Sequence, residues 1–163
     1  MKPQFLSVAI LLSFPVALLA ADPQQEATAT PAASTHVIVQ AADLKWGDPP
    51  PAFERGAQAT VIAGDPSKPG LFAIRLRMPA GYKVANHWHP TDEHVTLLDG
   101  DLAIEMDDGA QRRTLSRDAY MLLPAHMHHA VSTKGGVTVQ VTAMGPFELT
   151  YVDPKDDPRK RAP

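Results

Sequence analysis

Short apolar runs between residues 36 and 152 are separated by glycine, proline and aspartate at intervals of about 8 to 12 residues. The run 71–78 is the most regular, with apolar side chains at its even positions and with Arg75 and Arg77 between them. A period of two places the apolar side chains on one face of a strand and the charges on the other. The pattern therefore predicts an all-β domain built from short strands.

The same pattern locates the remaining strands and the turns between them. Predicted strands occupy 36–40, 59–63, 71–78, 95–98, 101–106, 111–115, 120–123, 137–143 and 147–152. Asp99-Gly100 and the runs 107–109 and 134–136 are predicted turns. No amphipathic helix of useful length is predicted, and the proline-rich run 48–51 excludes regular structure locally. Many short strands with glycine turns favour one small barrel or double-sheet jelly roll, in which closure protects the strand edges.

The N-terminus has the layout of a secretory signal peptide. Lys2 is followed by an apolar run over 5–19 and then by the small residues Ala20 and Ala21. The run is short for a membrane span and Pro15 weakens it, so we favour a cleaved signal peptide over an uncleaved membrane anchor. We expect the mature protein to have no stable membrane insertion and to be periplasmic or secreted.

These boundaries divide the 163 residues into four parts. We predict a signal peptide over 1–21, a flexible leader over 22–35, a β-barrel domain over 36–152 and a polar, frayed C-terminal tail over 153–163. The formal net charge is −3 and basic residues cluster only at 159–161, so we expect no nucleic-acid partner. The chain has no cysteine, so any metal site must use histidine, aspartate or glutamate.

Six of the seven histidines fall in the stretches 87–94 and 126–129. Residues two apart on a strand share a face, so His87 and His89 point the same way. Glu93, an even number of residues further on, can return to that face, and a barrel would place all three side chains in one cavity. Imidazoles and a carboxylate are ligands for zinc, manganese, iron, nickel or copper. Without a metal, the burial of these groups would cost a few kcal/mol each.

This stretch resembles a known family motif. The first motif of the cupin superfamily is matched at all five of its defining positions, which here are Gly81, His87, His89, Glu93 and Gly100. In the second motif, Pro124 is kept and His129 stands at the ligand position. The resemblance covers about residues 36–152 and implies a single-domain, cupin-type double-sheet jelly-roll β-barrel. It also implies one divalent transition metal, held by His87, His89, Glu93 and His129.

The second motif departs from the family pattern at three positions. Asp118 and His126 stand where the family has glycine, and Thr133 stands where it has asparagine. Aspartate tolerates turn conformations that usually demand glycine, whereas a histidine at such a position leaves the register open. Neighbouring strand residues face opposite ways, so only one of His128 and His129 should point inward, and we favour His129.

The other residues near the motifs receive structural interpretations. His94 follows Glu93 and should face away from the ligands, and Trp88 should pack outside the site. We expect His126 and His128 to be solvated, with gating of the barrel mouth as the alternative. The apolar residues expected to line the cavity or to fill the core are Phe72, Ile74, Met78, Leu97, Met106, Met121, Leu123 and Val141.

The resemblance implies a fold and a site rather than a reaction. We favour a metal-dependent oxidoreductase of dioxygenase type that acts on a small organic molecule in the cavity, with Glu93 as the catalytic general base. The alternative is a non-catalytic periplasmic protein that binds or senses metal or a small molecule. A sugar-phosphate isomerase is a weaker option, because Arg75, Arg77 and Lys83 form no evident phosphate cradle. Cupins often dimerise, and a strand at 36–40 would permit a homodimer.

Overall fold

The computed structural model of the protein describes residues 36–107 and 111–161, so the expected signal peptide and leader lie outside the described residues. The strands in these ranges are β1 (Gln58–Ala63), β2 (Gly70–Met78), β3 (Lys83–Trp88), β4 (Glu93–Met106), β5 (Arg113–Ser116), β6 (Tyr120–Leu123), β7 (His129–Ser132), β8 (Val137–Gly145) and β9 (Thr150–Tyr151). Short 3-10 turns occur at Ala41–Asp43, Pro154–Asp156 and Pro158–Lys160. Within the same ranges, no helix has the length and apolar character needed to cross a membrane.

The strands form a curled antiparallel sheet in which β4 is shared between two halves. The order along the sheet is β1-β2-β8-β4-β7-β3-β9, and both β5 and β6 also pair with β4. The first part of β4 pairs with β6 and β8, whereas its second part pairs with β5 and β7. The prediction of an all-β, cupin-type jelly roll is confirmed.

The alternation predicted on β2 is observed. Its inward residues are all buried, namely Phe72, Ile74, Leu76 and Met78. On the outer face, Arg75 donates through Nε to Gln140 Oε1, and the guanidinium of Arg77 lies 3.8 Å over the ring of Trp46. The buried side of β2 packs against the inner faces of β4 and β8. Removal of this apolar area from water, worth about 25 cal/mol per Å², is the main driving force for closing the barrel.

The tight turn predicted at Asp99-Gly100 is wrong. β4 continues through this dipeptide, and its pairing with β8 shifts register between Leu97 and Asp99. Gly100 has a φ of 81°, and a Cβ at this position would collide with the carbonyl oxygen of Gly136. The dipeptide therefore belongs to an irregularity that lets β4 pass from one half of the sheet to the other. The predicted strands 95–98 and 101–106 are two parts of one strand.

The other two predicted turns join strands. β4 and β5, which precede and follow the predicted turn 107–109, pair antiparallel, and residues 108–110 lie outside the described ranges. Residues 134–136 connect β7 to β8, as expected. However, β7 pairs with β3 whereas β8 pairs with β2, so this connection crosses between the two halves of the sheet.

The strand predicted at 36–40 is also wrong. These residues form no strand, and Val37, Ile38 and Val39 are 57%, 83% and 41% exposed. β-Branched side chains favour a strand only where a neighbouring strand and a buried face are present. Among the described residues, neither is found beside this segment.

Residues 153–161 pack on the barrel instead of fraying as predicted. Asp157 is buried, and its carboxylate accepts hydrogen bonds from the backbone N–H and the guanidinium of Arg159. The same guanidinium donates to the carbonyl of Leu149, and Arg161 pairs with the carboxylate of Glu54. The polar composition of this segment indicated a solvated tail, but two of its polar side chains, Arg159 and Arg161, bond to the domain.

Candidate metal centre

The four predicted site residues come from three strands that meet inside the barrel. His87 of β3 lies opposite His129 of β7 in their antiparallel pairing. His89 follows the last residue of β3, and Glu93 is the first residue of β4. All four residues are at most 8% exposed. The structure therefore brings together His87, His89 and Glu93, which the spacing placed on one inner face, and His129, which the resemblance to the second motif implied.

The side chains of these residues converge on one point. One ring nitrogen from each of His87, His89 and His129 lies within 4.8 Å of the other two. Glu93 Oε2 lies 3.6 Å from His89 Nε2 and 3.5 Å from His129 Nε2. Three imidazoles so placed could hold a divalent transition metal, and the carboxylate is close enough to join them.

Each of the three imidazoles is oriented by a backbone carbonyl group. The Nδ1 atoms of His87, His89 and His129 donate, at 2.8, 2.7 and 3.0 Å, to the carbonyl oxygens of Ala85, Glu148 and Met127 respectively. A carbonyl oxygen can only accept, so Nδ1 is the donor in each ring, which leaves Nε2 as the nitrogen available to a metal. This is how metal-binding histidines are commonly oriented.

Burial favours the neutral form of the imidazoles of His87 and His89. It lowers the pKa of His87 well below the ordinary value of 6.5, and nearby His129 and His89 lower that pKa further. Burial also lowers the pKa of His89, although Glu93 acts in the opposite direction. Among the described residues, Nε2 of His89 is buried without a hydrogen-bond partner. Such an atom destabilises a fold unless something binds it, and a coordinated metal would do so. The residues present therefore fit a metal.

The neighbouring histidines face away from the cluster formed by His87, His89, Glu93 and His129. His128 faces out of the barrel, where its Nδ1 lies 3.2 Å from Asp107 Oδ2. His94 also faces outward, as predicted, and its Nδ1 lies 2.6 Å from the Tyr120 hydroxyl. Of the two adjacent histidines in the second motif, His129 is the one that joins the buried cluster.

The two positions at which the second motif lacks glycine adopt a backbone typical of glycine. Asp118 has a φ of 67° and His126 a φ of 63°, in the left-handed region that residues with a Cβ rarely enter. The His126 ring packs 5.0 Å from that of Trp88, and neither His126 nor His128 lines the cavity. His126 therefore keeps the turn of the motif, and the gating alternative receives no support.

A cavity of about 870 Å³ adjoins the four site residues. Its wall is mainly aliphatic and includes Ile74, Leu76, Val95, Leu123, Val139 and Val141. Residues of the segment 45–53, including its three prolines, also line the cavity, as does Arg159. Apart from Glu93, the acidic and basic lining residues are exposed to solvent, namely Lys45, Asp48, Glu148 and Arg159. The site therefore faces a largely aliphatic cavity, and the charged side chains of its wall other than Glu93 are exposed to solvent.

The apolar residues expected to line the cavity or to fill the core divide between these two places. The expected residues that reach the cavity are Ile74, Met78, Met121, Leu123 and Val141. Phe72 and Leu97 are buried in the core, as the second expectation had it, whereas Met106 neither lines the cavity nor belongs to the core. Neither Arg75, Arg77 nor Lys83 reaches it, so the isomerase option loses the cations on which it depended.

The groups that orient His89 could not be found from the sequence. The ring of Phe147 stacks on its imidazole with 4.3 Å between ring centres and 14° between planes, and Glu148 supplies the carbonyl acceptor. Every residue has a carbonyl group, and a phenylalanine in an apolar run is typical of a core position. The wall formed by 45–53 was missed as well, because its prolines indicated only the absence of regular structure.

Solved structures of similar fold are found with high coverage and low sequence identity. The polyketide cyclase RemF from Streptomyces resistomycificus has a TM-score of 0.66 at 13% identity, over 76% of this chain and 90% of that chain. A "putative acetylacetone dioxygenase" from Methylibium petroleiphilum PM1 has a TM-score of 0.63 at 22% identity, over 80% and 90% of the two chains. An RmlC-like cupin from Shewanella frigidimarina NCIMB 400 has a TM-score of 0.55 at 14% identity, over 68% and 91%. At such identities the likeness concerns the fold.

No protein of curated function matches the chain. A family model described as a domain of unknown function, DUF4437, matches residues 19–150, which include all four residues of the candidate metal centre. The curled antiparallel barrel and the cupin among the similar structures agree with the two sequence motifs. The chain therefore belongs to the DUF4437 family, and its fold is that of the cupins.

Proposed function

We propose that the protein is an exported, metal-dependent oxidoreductase of dioxygenase type that acts on a small organic molecule inside its barrel. The proposal is carried by one observation: three buried imidazoles and the carboxylate of Glu93 converge beside a largely aliphatic cavity of about 870 Å³. A metal-ligand cluster that adjoins a small-molecule cavity is the usual arrangement of a metalloenzyme site.

His87, His89, Glu93 and His129 are the residues that would hold one divalent ion of iron, manganese, nickel, copper or zinc. Such an ion supplies a Lewis acid for an organic oxyanion and, where it is redox-active, a centre for oxygen chemistry. The carbonyl groups behind the imidazoles fix the direction of each Nε2 before any ligand arrives. The protein thus contributes a preorganised donor set.

Glu93 is the residue best placed to move a proton. Its buried carboxylate lines the cavity and lies within 3.6 Å of two imidazole nitrogens. From that position an Oε atom can accept the proton of a substrate enol or hydroxyl group, which is the role of a general base. Glutamine has the same shape but cannot accept a proton in this way.

The cavity indicates a substrate with one polar head and an apolar body. Its volume lies within the range of roughly 300–1,000 Å³ that is usual for small-molecule sites. The aliphatic walls exclude water from the body of a bound molecule, while the polar donors are concentrated at the candidate metal centre. The Methylibium protein of similar fold is named for acetylacetone, so we place β-diketones first among the candidate substrates.

The catalytic test is oxygen uptake by the purified protein, loaded separately with each of the five metals. β-Diketones and polyphenols form the substrate panel. We expect substrate-dependent uptake with at least one redox-active metal and none with zinc. Glu93→Gln should abolish uptake. Glu105→Gln should retain it, because Glu105 lies on the same strand but is exposed and pairs with Arg112 at 3.0 Å.

A different result would favour the non-catalytic alternative. If the protein binds metal tightly but shows no uptake with any metal over the whole panel, a binding or sensing role replaces the enzyme proposal. Export has its own test, which is N-terminal sequencing of protein recovered from the periplasm. We expect the mature chain to begin near Asp22, and a chain that keeps Met1 would contradict a cleaved signal peptide.

A further inference from the structure

His89 is oriented by a remote segment of the chain. The carbonyl groups that accept from the other two site histidines belong to residues only two positions earlier. The acceptor for His89 is the carbonyl of Glu148, which is 59 residues away. The imidazole of His89 also stacks on the ring of Phe147, which immediately precedes Glu148. The direction of His89 Nε2 therefore depends on where the segment 147–149 lies.

Leu149 is buried in the core, and the ring of Phe147 lies 5.2 Å from that of Phe72. The segment 147–149 is thus held by side-chain packing as well as by hydrogen bonds. It leads into β9, a two-residue strand at the end of the sheet order, whose described strand pairing is with β3 alone. The N–H of Phe147 donates to the carbonyl of Pro66 at 2.8 Å. The carbonyl of Leu149 accepts from Arg159 Nη2 at 3.0 Å. Arg159 thus ties this segment to the C-terminal tail.

Arg159 is itself held by Asp157, whose side chain is 5% exposed. The carboxylate accepts from Nε of Arg159 at 2.8 Å and from Nη2 at 2.9 Å. Two N–H bonds to one carboxylate fix the plane of a guanidinium group. The donor to Leu149 is therefore oriented in advance, one residue away from the carbonyl that holds His89.

We propose that Arg159, fixed by Asp157, is a positioning residue for His89. By holding the Leu149 carbonyl it holds the adjacent Glu148 carbonyl and the Phe147 ring, and these two groups set the direction of His89 Nε2. The importance of that direction rests on the proposed metal-binding function, but the chain of contacts does not require a metal. The C-terminal tail would then shape the metal centre without touching it.

The test measures, by NMR, how fast the Nδ1 proton of each site histidine exchanges with water. In Arg159→Ala, we expect the His89 proton to exchange about tenfold faster, an effect equivalent to roughly one lost hydrogen bond. The protons of His87 and His129 should keep their rates, because their acceptors are local. General destabilisation of the fold would not select one histidine of the three.

Arg161→Ala is the matched control. Arg161 lies in the same tail and is exposed to a similar extent, 50% against 43% for Arg159, but it pairs with Glu54 and not with the 147–149 segment. This variant should leave all three exchange rates unchanged. If Arg159→Ala fails to fold, Asp157→Asn should still give the selective acceleration, because it weakens the hold on the guanidinium while keeping the shape of the side chain.

Unchanged rates in both Arg159→Ala and Asp157→Asn, or equal acceleration at all three histidines, would overturn the proposal. A zinc titration of the same variants distinguishes a failure of the Arg159 proposal from a failure of the proposed metal-binding function. We expect zinc affinity about tenfold weaker in Arg159→Ala than in the wild type, as is common when a group behind a metal ligand is removed. A wild-type protein that binds no zinc contradicts the metal centre, while the exchange rates still decide the role of Arg159.

Discussion

His128 and His129 are neighbours in the sequence and lie on opposite sides of the barrel wall. The side chain of His129 is 2% exposed, and its ring centre lies 4.2 Å from that of His87. The side chain of His128 is 40% exposed and faces Asp107. Successive side chains of an extended chain point to opposite faces, so a slip of one residue would exchange the two. Their placement therefore reports the register of β7.

This relationship gives a direct test of the metal centre. His129→Ala should reduce bound metal from about one ion per chain to almost none, because it removes one of the three buried imidazoles. His128→Ala should retain the metal, since its imidazole lies outside. Elemental analysis of both purified variants measures the difference. Loss of metal in His128→Ala with retention in His129→Ala would mean that the register is reversed.

Metal binding should stabilise the protein. Because the converged site exists only in the folded state, free metal at 100 times the dissociation constant should raise the free energy of unfolding by about 2.7 kcal/mol. Thermal unfolding with zinc and with a chelator measures this change. His94→Ala should show the full stabilisation, since His94 faces outward. An equal stabilisation in His87→Ala would show that the metal binds elsewhere.

The Asp157–Arg159 pair should make the stability of the fold sensitive to acid. The hydrogen bond from the Arg159 side chain holds the pKa of Asp157 below its ordinary value of 3.8. A carboxyl group with a lowered pKa stabilises the folded state above pH 3.8, and this contribution is lost as the pH falls through the folded-state pKa.

Urea unfolding of the wild type and of Asp157→Asn at several pH values measures this dependence. The free energy of unfolding should differ most at neutral pH, and the two proteins should converge in acid. A difference that stays constant, or that grows as the pH falls, would contradict the assignment of the lowered pKa to the Arg159 contact.

Gly100 should tolerate no side chain. A Cβ at this position would collide with the carbonyl oxygen of Gly136, and the φ of 81° is unfavourable for any residue but glycine. We expect Gly100→Ala to lower the free energy of unfolding by about 2 kcal/mol or more. Gly47→Ala is the control, because its Cβ would meet nothing within 4 Å. Comparable losses in the two variants, measured by chemical denaturation, would contradict this explanation.

The hydrophobic periodicity correctly predicted features that depend on a single strand and its buried face. The alternation on β2 followed from residues 71–78 alone, because burial of one face is the dominant interaction of that strand. The same periodicity gave wrong predictions where pairing with a neighbouring strand determines whether a segment is a strand or a turn. Asp99-Gly100 reads as a turn, but pairing with β8 carries the strand through it. The run 36–40 reads as a strand, but among the described residues it finds no partner.

Residue spacing and motif resemblance were enough to predict which side chains could form the candidate metal centre. The spacing of His87, His89 and Glu93 put three donors on one face, and the resemblance to the second cupin motif added His129. The directions of these side chains and the groups beside them depend on tertiary contacts, which the sequence did not predict. The carbonyl of Glu148 reaches His89, and an aliphatic cavity lies beside Glu93, because segments distant in the sequence pack together. A backbone carbonyl is the same in every residue, so contacts to it cannot be predicted from the pattern of side chains.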